Sequence, residues 1–106
     1  MQIQVHYQGL ENSPWMDQFI TKRVSKLDRY LSPSASVQVH LKMDHRNYVT
    51  SLSVRNMNHD FAFTSDGENL YESFSQAVDK ATRALVEHKK QIKDKIHRKY
   101  DMRASA

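Results

Sequence analysis

Residues 37–55, VQVHLKMDHRNYVTSLSVR, decide the fold. Val37, Val39, Leu41 and Met43 alternate with Gln38, His40 and Lys42, and beyond Asp44-His45-Arg46-Asn47 the alternation resumes as Thr50, Leu52 and Val54, with Ser51, Ser53 and Arg55 opposite. Successive side chains of a strand point to opposite faces, so a period of two predicts one buried face and one wet face. The polar tetrad between the two runs reads as a turn, and the whole stretch as an antiparallel hairpin.

Working outward, the same pattern returns after the polar stretch Asn56 to Asp60 as Phe61, Phe63 and Ser65, which makes a three-strand meander. It also opens the chain, where Ile3, Val5 and Tyr7 alternate with Gln2, Gln4, His6 and Gln8. Between the first strand and the hairpin, Ser13-Pro14 reads as an N-cap followed by proline at the first helical position, where its missing N–H costs nothing. That helix is expected to run to about Leu31 before Ser32-Pro33 stops it. Asp66-Gly67-Glu68-Asn69 reads as a strand end and a second N-cap, and a long helix without Gly or Pro follows from Leu70 toward Tyr100.

The order is β-α-β-β-β-α. Strands with a Gln, His, Ser and Lys face need cover on the other face only, so both helices are expected on one side. The predicted fold class is α+β: a two-layer sandwich of a four-stranded sheet with two helices packed on one face. Residues 1–100 are expected to form one domain, and residues 101–106 a flexible tail.

The chain of 106 residues has no cysteine, which excludes a disulfide framework, a thiolate zinc site and a cysteine nucleophile. The opening MQIQVHYQ has neither a basic n-region nor a long apolar run, so the expected setting is cytoplasmic, with no membrane partner. Charge is unevenly spread. Residues 1–87 hold nine Lys/Arg against ten Asp/Glu, and residues 88–106 hold seven against two.

At 100° per residue, Met16, Ile20, Val24, Leu27 and Leu31 share one arc of the first helix, Lys22, Lys26 and Arg29 lie across from it, and Arg23 sits on the flank. In the second helix Leu70, Phe74, Ala77, Val78, Ala81, Leu85, Ile92 and Ile96 share the core arc, opposite Lys80, Arg83, Lys90 and Arg98. Solvated helix faces are ordinarily rich in cations paired with acids at i+4. Here Lys22 faces Lys26, and Lys26 faces Tyr30, so the first stripe lacks such partners except for Asp28, which lies off to one side; Asp79, Glu87 and Asp94 do interrupt the second. An uncompensated basic surface suits a polyphosphate, because each cation that displaces a condensed counterion adds affinity without demanding a sequence. Two adjacent helical stripes fit a structured RNA groove, recognised mostly by shape. No aromatic is interleaved among these cations in the helical projection, which argues against stacking on single-stranded bases.

The strand order, the segment KRVSKLDRYL (residues 22–31) and the junction DGENLYESFSQAVDKATRALVEHKKQIK (residues 66–93) resemble the short ribosome hibernation factors, which include hibernation-promoting factor and ribosome-associated inhibitor A. The resemblance covers about residues 2–95. Its most specific parts are Arg23, Lys26, Leu27, Asp28, Arg29 and Tyr30, and the helix start Asn69, Leu70 and Tyr71. It implies binding to rRNA in the decoding region of the small ribosomal subunit, where the protein occupies space needed by mRNA and tRNA and translation stops. Carried over by position, the rRNA-contacting cations are Arg23, Lys26, Arg29, Lys80, Arg83 and Lys89; Lys22 and Lys90 join them from the helical projection. Glu87 stands where the family usually has Lys, Ala84 replaces a common Gln, and the Asn56 to Asp60 turn reads as longer and without the usual Gly.

Rival readings are weaker. Six His invite a metal-dependent or acid/base enzyme, but no HExxH or paired-His spacing occurs, His88 and His97 lie on different sides of their helix, and only Gly9 and Gly67 are present to build a phosphate loop. His6 and His40 are expected to meet across strands on the wet face as a solvated pair. A generic structured-RNA module fits less well: an RRM needs a final strand, and a double-stranded-RNA-binding domain begins with a helix. HKKQIKDKIHRKY (residues 88–100) as a membrane or partner helix has only Ile92 and Ile96 for an anchor. The expected partner is the small ribosomal subunit through its rRNA, with no catalytic residue, cofactor or metal, and with a monomer off the ribosome.

Overall fold

The computed structural model describes the backbone of residues 1–104 and the side chains of residues 1–93. Strands β1 (Gln2–Gln8), β2 (Ser36–Asp44), β3 (Asn47–Asn56) and β4 (His59–Gly67) form one sheet in that order. β1 runs parallel to β2, and the two remaining pairings are antiparallel. Helix α1 (Pro14–Ser25) makes the β1–β2 crossover, and α2 (Leu70–Ala104) follows β4. The sandwich is α+β, with both helices on the apolar side of the sheet.

Period two in the sequence becomes two chemically opposite faces. Val37, Val39, Leu41, Leu52 and Val54 are buried beneath Ile20, Val24 and Leu27 of the first helical segment and Phe74, Ala77, Val78, Ala81 and Leu85 of α2. Burial of such apolar area, at about 25 cal/mol per Å², is the main source of stability. The core holds one polar device. Ser73 Oγ donates to the Leu70 carbonyl at 3.1 Å, so Thr50 supplies the proton of the buried 2.9 Å bond between the Thr50 and Ser73 hydroxyls, pinning α2 to β3.

Both helix starts match the expected chemistry. Ser13 Oγ accepts from the Met16 N–H at 3.1 Å ahead of Pro14, and Asn69 Oδ1 accepts from the Glu72 N–H at 2.8 Å. At the β4–α2 junction, a Cβ on Gly67 would lie 2.9 Å from the Ser73 nitrogen and 3.1 Å from Glu72 Cβ, so α2 begins hard against the strand end.

Three expectations need correction. The first helix does not stay α-helical to Leu31: it tightens at Lys26 into a 3-10 segment, Lys26–Tyr30, where the Ser25 hydroxyl donates back to the Thr21 carbonyl at 2.6 Å. The turn read across Asn56 to Asp60 has only Met57 and Asn58 outside the ladder; Arg55 pairs with Asp60 across the strands at 3.6 Å, and Asn56 Oδ1 accepts from the Ser32 N–H at 2.9 Å. Met57 there takes φ 57° and His45 in the other hairpin φ 56°, the left-handed region that a two-residue hairpin turn demands. Ile92, placed on the core arc, is 45% exposed, because α2 continues past the sheet it packs on. The side chains of Ile96, His97 and Arg98 and the tail expected at 101–106 lie outside the described side chains, and residues 105–106 outside the described backbone.

Candidate nucleic-acid interface

The 3-10 segment decides how the first cations present themselves. In that geometry side chains at i and i+3 eclipse, so Lys26 and Arg29 stand one above the other, aligned more closely than a continuous α-helix would set them. Both are exposed, and Leu27 between them is buried and anchors the segment. Arg23, Lys26 and Arg29 line a groove whose other wall is α2, through Val78, Asp79 and Thr82. Tyr30 closes one end. It also lines a second depression with Val86, Lys89, Lys90 and Lys93, so the basic surface continues along α2.

Lys89 ties the two parts together: its Nζ donates to the Arg29 carbonyl at 2.8 Å. Among the described residues the one Lys or Arg ion pair is Arg55 with Asp60, and the His45 imidazole lies 3.8 Å from Asp44; neither contact touches this surface. Among the described residues, therefore, no acid stands at ion-pair distance from the groove cations, although Asp79 lies among them.

The remaining expected site residues are distributed differently. Lys22 and Arg83 are exposed beside the groove without lining it. Lys80 is not brought to the groove, because its Nζ donates to the Thr64 carbonyl of β4 at 2.9 Å, on the flank of α2 away from α1. Two parallel stripes thus become one continuous basic groove with an outlying Lys80. Lys93 belongs to that surface and is absent from the sequence-derived set, although its i+4 spacing from Lys89 was legible.

The sequence reading also missed an aromatic patch next to the cations. Trp15 and Phe19 stack at 6.0 Å, Tyr71 packs edge-on against both at 5.7 and 4.9 Å, and Phe19 rests on the buried Phe74 at 5.8 Å. Arg23 Cζ sits 6.0 Å from the Phe19 ring centroid, at the outer limit of a cation–π contact. The i, i+4, i+8 spacing of Trp15, Phe19 and Arg23 was a readable signal.

His6 and His40 stack at 4.6 Å on the open sheet face as their register requires, and among the described residues no group of three or more His, Asp or Glu could hold an ion. Among the described residues no helix is long and apolar enough to cross a membrane.

Comparison with known proteins gives a family and a shared fold. The family model described as Sigma 54 modulation protein / S30EA ribosomal protein matches residues 3–93. The ribosome hibernation promoting factor of Klebsiella oxytoca is 24% identical over 93 residues, covering 88% of this chain and 98% of the relative, and that of Escherichia coli strain K12 is 23% identical with the same coverage. The fold is shared with the N-terminal domain of Protein Y from Thermus thermophilus, at TM-score 0.74 and 20% identity over 80% of this chain and 96% of that one. A ribosomal subunit interface protein from Coxiella burnetii superposes at TM-score 0.73 and 15% identity over 84% and 98%.

Proposed function

The chain belongs to the Sigma 54 modulation protein / S30EA ribosomal protein family, and from that premise we propose that it is a ribosome hibernation factor acting on the small ribosomal subunit. It binds rRNA in the decoding region, occupies the paths of mRNA and tRNA, and inhibits translation by occupancy, with no chemical step. The observation that carries this reading is the groove of Arg23, Lys26 and Arg29 against α2, extended by Lys89, Lys90 and Lys93 and free of ion-paired acids among the described residues. Lys22 and Arg83 add to the field from its rim, and Lys80 is peripheral. Such a surface exchanges condensed counterions for protein cations, so affinity is expected to fall steeply with salt. The site of action is the cytoplasm, where ribosomes work.

The test is co-sedimentation with purified small ribosomal subunits across roughly 50–500 mM salt, alongside inhibition of cell-free translation. Binding that weakens with salt, together with inhibition at stoichiometric protein, supports the proposal. No association at low salt refutes it, and equal affinity for bulk transfer RNA would favour a generic structured-RNA binder.

A further inference from the structure

Trp15, the only tryptophan in the chain, is 57% exposed near the start of α1, and Tyr71 is 41% exposed near the start of α2. Single exposed aromatics need no explanation, but three rings in mutual contact at the surface do. We propose that Trp15, Phe19 and Tyr71 form a stacking platform for one unpaired nucleobase of the RNA whose phosphates occupy the adjoining groove. This inference rests on the reading of that groove as an rRNA interface and names the chemistry beside it.

The platform is held in place before any ligand arrives. Phe19 is seated on buried Phe74, Trp15 lies nearly parallel to Phe19 at 9°, and Tyr71 buttresses both at 64° and 68°. A planar base needs such a fixed ring face, and stacking is tolerant of base identity because every base has a π-face.

Charge favours a nucleotide over an apolar protein segment. Arg23 reaches the Phe19 ring and also lines the groove, so a strand leaving the groove passes a cation before it meets the rings. Two nearby acids are fixed by hydrogen bonds within the protein and keep their negative charge, so the cation at the platform is Arg23. Asp17 accepts the Tyr7 hydroxyl at 2.6 Å, and Glu72 accepts from the Glu68 N–H at 3.2 Å and from Gln76 Nε2 at 3.4 Å.

Because Trp15 is the sole tryptophan, its emission reports on the platform directly. The protein is titrated with a single-stranded oligoadenylate and, separately, with small ribosomal subunits, following tryptophan fluorescence. Trp15→Ala and Trp15→Phe are then compared by anisotropy of the labelled oligonucleotide and by sedimentation. The expected result is quenching by both ligands, with Trp15→Ala weakening oligoadenylate binding about 5- to 150-fold and Trp15→Phe much less. Unchanged affinity of Trp15→Ala for the oligonucleotide overturns the platform. Subunits that co-sediment without altering Trp15 emission overturn it while leaving the ribosomal reading intact. Weakened subunit binding with unchanged oligonucleotide binding also overturns it, and assigns the patch to a ribosomal protein. Quenching by oligoadenylate without any subunit binding keeps the platform and removes the ribosomal reading.

Discussion

Lys89 Nζ caps the Arg29 carbonyl at 2.8 Å across sixty residues of sequence, so a cation expected to reach RNA also fastens the end of the 3-10 segment to α2. An ammonium has three donors, and two remain for a phosphate. Lys89→Met keeps the aliphatic stem and removes the bond; it is expected to lower stability by about 0.5–1 kcal/mol in urea unfolding. An unchanged midpoint would show that solvent replaces the bond without loss.

Charge reversal at Lys26 and Arg29 is expected to cost at least about 100-fold in subunit affinity at low salt, since two aligned cations become two phosphate-repelling acids. Lys42→Glu with Arg55→Glu, on the open sheet face, is expected to cost little. Sedimentation of both double variants, with circular dichroism to verify folding, decides the matter: equal losses would mean general charge attraction without a defined face.

Glu87 is exposed on α2 and forms no ion pair among the described residues, although Arg83 and Lys90 lie within a turn of it. Glu87→Lys is expected to strengthen subunit binding about 2- to 10-fold at low salt, and less as screening grows. Unchanged or weaker binding of this variant at low salt would argue against RNA lying along the outer face of α2.

Tyr7 donates to Asp17 at 2.6 Å and thereby couples β1 to α1. Burial, reinforced by the bond to Asp17 and by its charge, holds the phenol proton far above its ordinary release near pH 10. The folded pKa is thus raised, so the contribution to stability is whole below about pH 10 and is lost as pH rises beyond it, when only the unfolded chain gives up the proton. Tyr7→Phe is expected to cost about 1–2 kcal/mol at neutral pH. The gap between wild type and variant, measured by urea unfolding, should shrink above pH 10; a constant gap would contradict the coupling.

Met57 occupies a left-handed conformation with φ 57° while 74% exposed, so it contributes strain without packing. Replacement by Asn, or by Gly at some entropic cost, is expected to stabilise the protein by about 0.5–1 kcal/mol. A thermal midpoint that stays put or falls would mean that the Met57 side chain has a contact worth keeping.

Strand positions were legible because burial on one face writes itself into every second residue of each strand, as in Ile3, Val5 and Tyr7 or Val37, Val39 and Leu41, and helix starts because Ser13 and Asn69 are chemically marked. The end of α1 was not, since no residue signals the change to 3-10 winding at Lys26. The β3–β4 turn was obscured because Asn56, His59 and Asp60 are polar although they hold ladder positions. Ile92 kept the period of a core residue beyond the reach of the core, where periodicity alone cannot report what lies beneath. The groove cations were found from helical projection, but the separation of Lys80 from them depends on a bond to Thr64 that only the fold brings near. The aromatic patch joins residues 15 and 71, and no local pattern links them.

Gly67 has a bearing on descent as well as on packing. With backbone nitrogen 2.9 Å from where a first carbon would stand, even alanine is oversized, and the obstacle is main chain that cannot swing aside. Accommodating it would shift the start of α2, and with it Tyr71 and the whole second wall of the basic groove. Lineages are therefore free to trade groove cations, turn residues or the length of α2 one at a time, whereas this position offers no single-step alternative. In a library of all substitutions screened for function, position 67 should return glycine alone, while the hairpin residue 57 accepts many.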